Sequence, residues 1–443
     1  MNPRLFDTLL WSVLAVTGAV LLWLLARNIM AIPHHVPLDP NEGWNAAHAL
    51  AGSLYPPPES WMVNNYPPLS FYLIRLLIRH GGDPVIAGRW VSALAFLGAG
   101  AGIAAVLRQL ECQLRGIACA VLFFAAVLLI ASNYVGIDDP QMLGHALQIA
   151  ALFLLLRERP LVSALLFAVS LFVKHNLLAL PLASAAWLML LDRRAGLEFL
   201  LWGMAFVLAG LVAFQLGFGT SLLGQLASAR QSSLGNLATA VSHAWWVIMP
   251  GIAIAGLWPD RSALLCSLYA GAALALGLIF AAGDGVDANG FFDLAIALSL
   301  GLGLTVEGGR WPVLAPASIL PLLLFLALRF HDNNYFFTRA FAETSARDIA
   351  FLQGHPGPAL CDQLSLCQWA GKRAEVDVFN IGEAIKTGAR DPAPLVRMIQ
   401  SHHFAVLQLW DLDSLGPAVG NAIRKNYRTD HNNDNGQFLV PLS

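Results

Sequence analysis

Charge is what this chain has least of. Only 12% of its 443 residues are Asp, Glu, Lys or Arg, against about 25% in soluble domains, so a water-soluble globular protein is excluded. Lysine is scarcest: Lys174, Lys372, Lys386 and Lys425 are the only four, and arginine makes up the rest of the 26 basic residues. With a formal net charge of −2 there is no basic surface to hold nucleic acid. Of five cysteines, Cys112, Cys119 and Cys266 lie in or beside apolar runs and read as filler. Internal repeats and low-complexity tracts are absent.

What is abundant is hydrocarbon: 57% of residues are hydrophobic, with a mean hydropathy of +0.61. Long apolar runs predict an all-α polytopic membrane protein with about eleven transmembrane helices. They fall at roughly 8–28, 88–107, 116–131, 141–156, 161–174, 177–191, 197–217, 243–258, 262–281, 292–306 and 311–328. Several are shorter than the ~20 residues that cross a bilayer, which calls for tilting or local thinning. The first run reads as a span and not as a cleaved leader, because its apolar core is longer than a signal h-region and no clean small-residue site follows.

The positive-inside rule sets the orientation. With the N-terminus inside, the inner loops collect Arg4, Arg108, Arg115, Arg157, Arg159, Arg193, Arg194, Arg261 and Arg310. Short outer loops after the first hold little beyond Lys174 and Arg230, although Arg75, Arg79 and Arg89 lie on the outer side, in the long first loop and at the start of the second span. An odd span count then places residues 330–443 outside. A multi-pass protein of the bacterial cytoplasmic (inner) membrane is expected, with an Arg-over-Lys bias typical of a GC-rich genome.

Almost every unusual acid or amide of the first 330 residues falls on that outer side. Transporters place ionisable groups near the bilayer midplane; one-sided clustering favours a reaction site at the surface. The first outer loop, residues 29–87, is rich in Pro, Trp and Asn. Within it Asp39-Pro40-Asn41-Glu42 reads as a helix start, with Asp as N-cap, Pro first and Glu three on. The same i, i+3 spacing places two carboxylates near one face as general base or metal ligands. Trp44, His48 and the Asn64–Pro68 element, with Tyr66, follow as polar and aromatic contacts.

Asp138-Asp139-Pro140 repeats the helix-start grammar with one acid more than a cap needs, and adjacent carboxylates persist most readily beside a cation. His145 reads as a packed core histidine. Lys174-His175-Asn176 breaks a long apolar stretch, either as a turn with a snorkelling lysine or as a lipid-phosphate contact. In the Gly283–Gly290 turn the twelfth-position glutamate of a calcium loop is missing, so Asp287, Asn289 or Asp293 is expected to reach the outer cavity instead. Arg89 reads as an anion clamp or a headgroup anchor.

These motifs, in this order, resemble the GT-C superfamily of membrane glycosyltransferases, in particular the branch of protein O-mannosyltransferases and the lipid A aminoarabinose transferase. The resemblance covers most of residues 1–330 and rests on the acidic motif after the first span, Gly52–Tyr55, Tyr66-Pro67-Pro68-Leu69, Ala87-Gly88-Arg89, Asp138-Asp139-Pro140 and Lys174. It implies a polyprenyl-phosphate sugar donor, transfer with inversion on the outer face, and a glycan, lipid or protein acceptor. By analogy Asp39 or Glu42 is the base, Asp138 and Asp139 give a second acidic contact, and Lys174 with Arg89 binds the departing phosphate. A divalent cation, Mg or Mn, held by Asp39, Glu42 and Asp138 is an open element, since family members differ in metal use. The family often has adjacent acids, whereas Pro40-Asn41 separates them here. The rival reading is a transporter or flippase of lipid-linked sugars.

Two domains are predicted: residues 1–329 as the catalytic membrane domain, and 330–443 as a small α/β outer domain packed over the site. In the latter, 358–366, 374–379 and 404–409 read as strands and 393–401 as a helix. A Cys361–Cys367 disulfide is expected on the oxidising side. His331-Asp332-Asn333-Asn334 reads as a solvated linker.

Overall fold

A computed structural model describes residues 3–219, 221–226, 230–255, 261–307 and 313–442. Arg310, residues 256–258 and 311–312 of two expected spans, and the side chains of Arg4, Asp332 and Asn333 lie outside the described residues.

The chain is mainly helical. Its first half runs α1 (Pro3–Ala31), α2 (Pro40–Leu50), α3 (Leu69–Ile78), α4 (Pro84–Gln109), α5 (Leu114–Ala126), α6 (Gln141–Leu156), α7 (Pro160–Val173), α8 (Ala179–Leu191) and α9 (Arg193–Phe218). Then come α10 (Ser221–Leu226), α11 (Leu234–His243), α12 (Ile248–Ala255), α13 (Arg261–Ala281), α14 (Phe292–Glu307) and α15 (Leu314–Leu328). Among the described residues six helical segments are long and apolar enough to cross a bilayer, and a seventh forms if α11 and the segment Trp245–Ala255, bent by 53°, count as one. Helices α3, α6, α7, α8 and α15 are apolar but shorter. The expected outer loop 218–242 instead contains the short helices α10 and α11.

Packing explains which helices are central. Helix α14 is buried along nearly its whole length, whereas α9 presents Leu201, Leu208, Val212 and Leu216 outward. An apolar surface of that kind suits hydrocarbon and not water.

The C-terminal segment runs α16 (Phe330–Tyr335), α17 (Arg339–Gly354), β1 (Ala359–Cys361), α18 (Leu364–Trp369), α19 (Val378–Lys386), α20 (Ala393–Gln400), β2 (Val406–Leu409), α21 (Pro417–Asn426), β3 (Tyr427–Asn433) and β4 (Gly436–Pro441). Its sheet has the order β1-β2-β4-β3, with β1 and β2 parallel and the other pairs antiparallel. The expected strand 358–366 is strand only to Cys361; Cys361 and Cys367 are disulfide-bonded and α18 begins inside the loop they close. The expected strand 374–379 is not one. Asp377 caps α19 by accepting from the Asn380 N–H, so the alternation of Val376 and Val378 marks a helix entry.

This segment docks on the first loop at several points. Trp61 O accepts the Asp377 N–H at 2.8 Å, and Arg390 donates to the carbonyls of Pro58 and Glu59. Asp83, the N-cap of α4, also accepts from Trp369 Nε1 at 2.7 Å. Gly43 of α2 lies so close to α18 that a Cβ there would meet the Ser365 nitrogen at 2.0 Å.

Candidate active site

Local sequence places the first acid. Asp39 has extended backbone, accepts from the Asn41 N–H at 2.8 Å and precedes Pro40 at the first position of α2. That is the expected N-cap, and it leaves the carboxylate on the wall of a cavity of about 780 Å³. The cavity collects residues from across the chain: Asp39, Trp44, Asn65, Tyr66, Tyr134, Lys174, His175, Arg230, Asp287, Asn289, Asp362, Asp377 and Trp410. Of the residues predicted from sequence, Asp39, Trp44, Tyr66, Lys174, His175 and Asn289 therefore meet on one surface.

Protein packed around Asp39 strips water from its carboxyl, and repulsion from Glu42, Asp139 and Asp287 adds to this; its pKa is pushed up to about 7 despite the Asn41 N–H. A carboxylate so placed is poised to take a proton near neutral pH.

Lys174 follows the end of α7. Its Nζ lies 2.9 and 3.0 Å from the two Asp139 oxygens and donates to Tyr66 Oη at 3.1 Å, over the Tyr66 ring. Asp139 in turn accepts the Gln141 N–H at 2.6 Å and opens α6. Asp139 thus braces the chain just before α6 and anchors the lysine, and Lys174 is the side chain that reaches the cavity. Asn289 Nδ2 donates to Tyr134 Oη at 3.3 Å on the same wall.

Five predicted residues do not line this cavity: Asp139, already placed, and four more whose readings need correction. Glu42 is not beside Asp39 on the cavity wall: it is fully buried, taking Arg89 Nε at 2.6 Å and Nη2 at 2.7 Å, together with the N–H groups of Leu38 and Asp138. Arg89 spends its remaining N–H groups on the carbonyls of Ile32, His34 and Val36. With all five donors engaged, it is a structural tie between α2, α4 and the chain before α2, and not an anion clamp. His48 is buried behind Trp44, with Nε2 3.0 Å from Val63 O; burial drops its pKa to about 3, so it is neutral. Asp138 turns away into a separate small cavity of about 20 Å³ with Asn45 and Ser70. Burial, then Glu42 and Asp139, raise its pKa far above the usual range, and its carboxyl presses so close to Gly88 that a Cβ there would meet Oδ1 at 1.8 Å.

These placements bear on the metal. Asp39 faces the cavity, Glu42 is spent on Arg89 and Asp138 points elsewhere, so the three do not converge as ligands. Among the described residues no three His, Cys, Asp or Glu side chains are grouped to hold an ion.

A C-terminal domain over the site was expected, but none of the residues it brings to the cavity wall was singled out. Asp377 accepts from Trp44 Nε1 at 2.8 Å and from Asn380 Nδ2 at 2.7 Å; burial lifts its pKa to about 6. Asn65 Nδ2 donates to Asn380 Oδ1 at 3.2 Å, and Arg230 lies over the Phe379 ring. Asp377, Phe379 and Asn380 are remote in sequence from the acidic motif, and no local spacing links them to it.

No known protein-family profile matches the sequence, and no curated protein matches it. Its fold, however, is that of ArnT from Cupriavidus metallidurans. The chain superposes over 96% of its own length and 97% of that protein bound to undecaprenyl phosphate, at a TM-score of 0.58 and 14% identity. The apo state of the same protein matches at the same score, with 98% of it covered.

Proposed function

We propose that this chain is an integral-membrane glycosyltransferase that moves a sugar from a polyprenyl-phosphate donor to an acceptor hydroxyl at the outer face of the cytoplasmic membrane. One observation carries the reading: a half-buried acid poised near neutrality, Asp39, shares a cavity with two cations, Lys174 and Arg230. The fold shared with a protein crystallised with undecaprenyl phosphate supports the donor class.

In this mechanism the donor phosphate lies against Lys174 and Arg230. Asp39 accepts the acceptor hydroxyl proton as the oxygen bonds to the sugar's anomeric carbon. The bond from that carbon to the phosphate oxygen breaks, and the phosphate leaves as an anion neutralised by the two cations. A protein nucleophile is unnecessary, and a single displacement inverts the anomeric centre. Of the two acids left open by the sequence, Asp39 is the base and Glu42 is the strut that fixes α2. No metal ion is assigned a step.

The test is transfer of radiolabelled sugar from undecaprenyl-phosphate-linked donors by membranes carrying wild type, Asp39→Asn or Lys174→Gln, with melting curves in parallel. The reading expects transfer by wild type and loss of transfer in a folded Asp39→Asn protein. Flipping of labelled lipid by wild-type vesicles, with no transfer from any donor, would replace it with the flippase reading.

A further inference from the structure

The cavity wall divides by chemistry. Its cations, Lys174 and Arg230, belong to the membrane-helix half of the chain. The C-terminal segment lines it with Asp362, Leu364, Asp377, Val378, Phe379, Asn380 and Trp410, a set that contains no Lys, Arg or His. Asp377 is occupied by Trp44 and Asn380, and Phe379 by Arg230. Asp362 and Trp410 remain.

These two residues are neighbours by topology. Asp362 follows β1 and Trp410 follows β2, at the carboxyl ends of two adjacent parallel strands, where α/β sheets present ligand-binding loops. The Trp410 N–H reaches Asp362 Oδ2 at 3.4 Å. The Cys361–Cys367 disulfide closes the loop that carries Asp362. On the other side Gly436, at φ +98°, lets the hairpin turn approach so closely that a Cβ would meet Trp410 Cδ1 at 2.3 Å. The indole is therefore backed by glycine, yet half of its surface is open. Among the described residues no ring, cation or hydrogen-bond acceptor meets it.

Building on the glycosyltransferase reading, we propose that Asp362 and Trp410 form the acceptor subsite and that the acceptor is an uncharged saccharide. The bare indole face suits the C–H face of a sugar ring, and the carboxylate beside it accepts sugar hydroxyls. A phosphorylated or uronic acceptor would meet the carboxylates of Asp362 and Asp377 with no cation from that wall. The cavity, at about 780 Å³, lies within the range of ligand pockets, roughly 300–1,000 Å³.

The experiment measures binding directly, by saturation-transfer NMR on the detergent-solubilised full chain. The probes are neutral gluco-, galacto- and manno-configured mono- to trisaccharides and their uronic-acid counterparts. The proteins are wild type, Trp410→Ala, Trp410→Phe and Asp362→Asn. The subsite expects at least one neutral saccharide to bind, ten-fold or more weaker in Trp410→Ala and Asp362→Asn, with recovery in Trp410→Phe and weaker binding of the uronic probe. Absence of binding by every neutral probe, or equal binding by Trp410→Ala, overturns it. Release of sugar to water from an undecaprenyl-phosphate donor, followed in parallel, reports the transferase reading on its own. Donor turnover without saccharide binding sinks the subsite alone, and Trp410-dependent binding without turnover keeps the saccharide site but overturns its acceptor role together with the transferase reading.

Discussion

Glu42 and Arg89 hold each other in a bidentate ion pair, both side chains sealed from solvent, and tie the helix that starts at Asp39 to α4. Two acids three residues apart thus have separate duties: one braces α2 and the other faces the cavity.

Removing either partner of the brace leaves an uncompensated buried charge, a loss of about 3–5 kcal/mol. Arg89→Ala and Glu42→Ala are expected to melt well below wild type and to accumulate poorly, as read by thermal scanning in detergent. A full-length melting curve unchanged by Arg89→Ala would rule the brace out.

Asp39→Asn separates from these. Asparagine caps a helix about as well as aspartate, so folding is retained while transfer is lost. Glu42→Gln and Asp39→Asn side by side therefore resolve stability from chemistry, which a single alanine scan does not.

The pH profile follows from the raised Asp39 pKa. The proposed base acts as the carboxylate, and the pKa of about 7 at Asp39 lies above the usual value of 3.8. The rate is thus expected to fall about ten-fold per unit as pH drops below 7, and to level off above it. A rate flat from pH 5 to 8 would remove Asp39 from the proton transfer. Stability has the opposite sign: the folded state binds the proton more tightly, so this group costs stability as pH rises from about 4 to 7.

Lys174→Gln removes the partner of buried Asp139 as well as a cavity cation. It is expected to raise the KM for donor and to lower the melting temperature together, whereas Lys174→Arg keeps the ion pair and most of the stability. Donor KM unchanged in Lys174→Gln would argue that the phosphate lies elsewhere.

Gly43→Ala tests docking of the C-terminal segment. A Cβ placed 2.0 Å from the Ser365 nitrogen forces α18 off α2, since backbone cannot yield as a flexible side chain does. Faster hydrogen exchange or proteolysis across 359–370, with lost transfer, is the expected outcome; protection equal to wild type would contradict the contact.

Much of the frame was legible in the sequence because hydropathy is a local property. Helices occupy the described part of each predicted apolar range, although only six segments, or seven with the bent pair, are long enough to cross a bilayer, and Asp39-Pro40 does start a helix. Side-chain partnership was not legible. Nothing near Glu42 announces that Arg89 lies across from it, and Arg89 looked like an anion clamp because its carbonyl partners at Ile32, His34 and Val36 carry no sequence signal. The hairpin β3–β4 was missed because its first strand is polar, with only Tyr427 buried. Asp362 and Trp410 meet through strand pairing, which 47 intervening residues conceal.

The close seat of Ser365 on Gly43 also bears on how the protein is made. Helix α2 leaves the ribosome more than 300 residues before α18, so the cavity has its acid and its lysine long before it has its far wall. A nascent or truncated chain carries the proton acceptor without the surface proposed to orient an acceptor, and donor turnover in that state would run to water. On the proposed reading, completion of the segment that carries Asp362 and Trp410 is the step that gives the membrane bundle its acceptor selectivity.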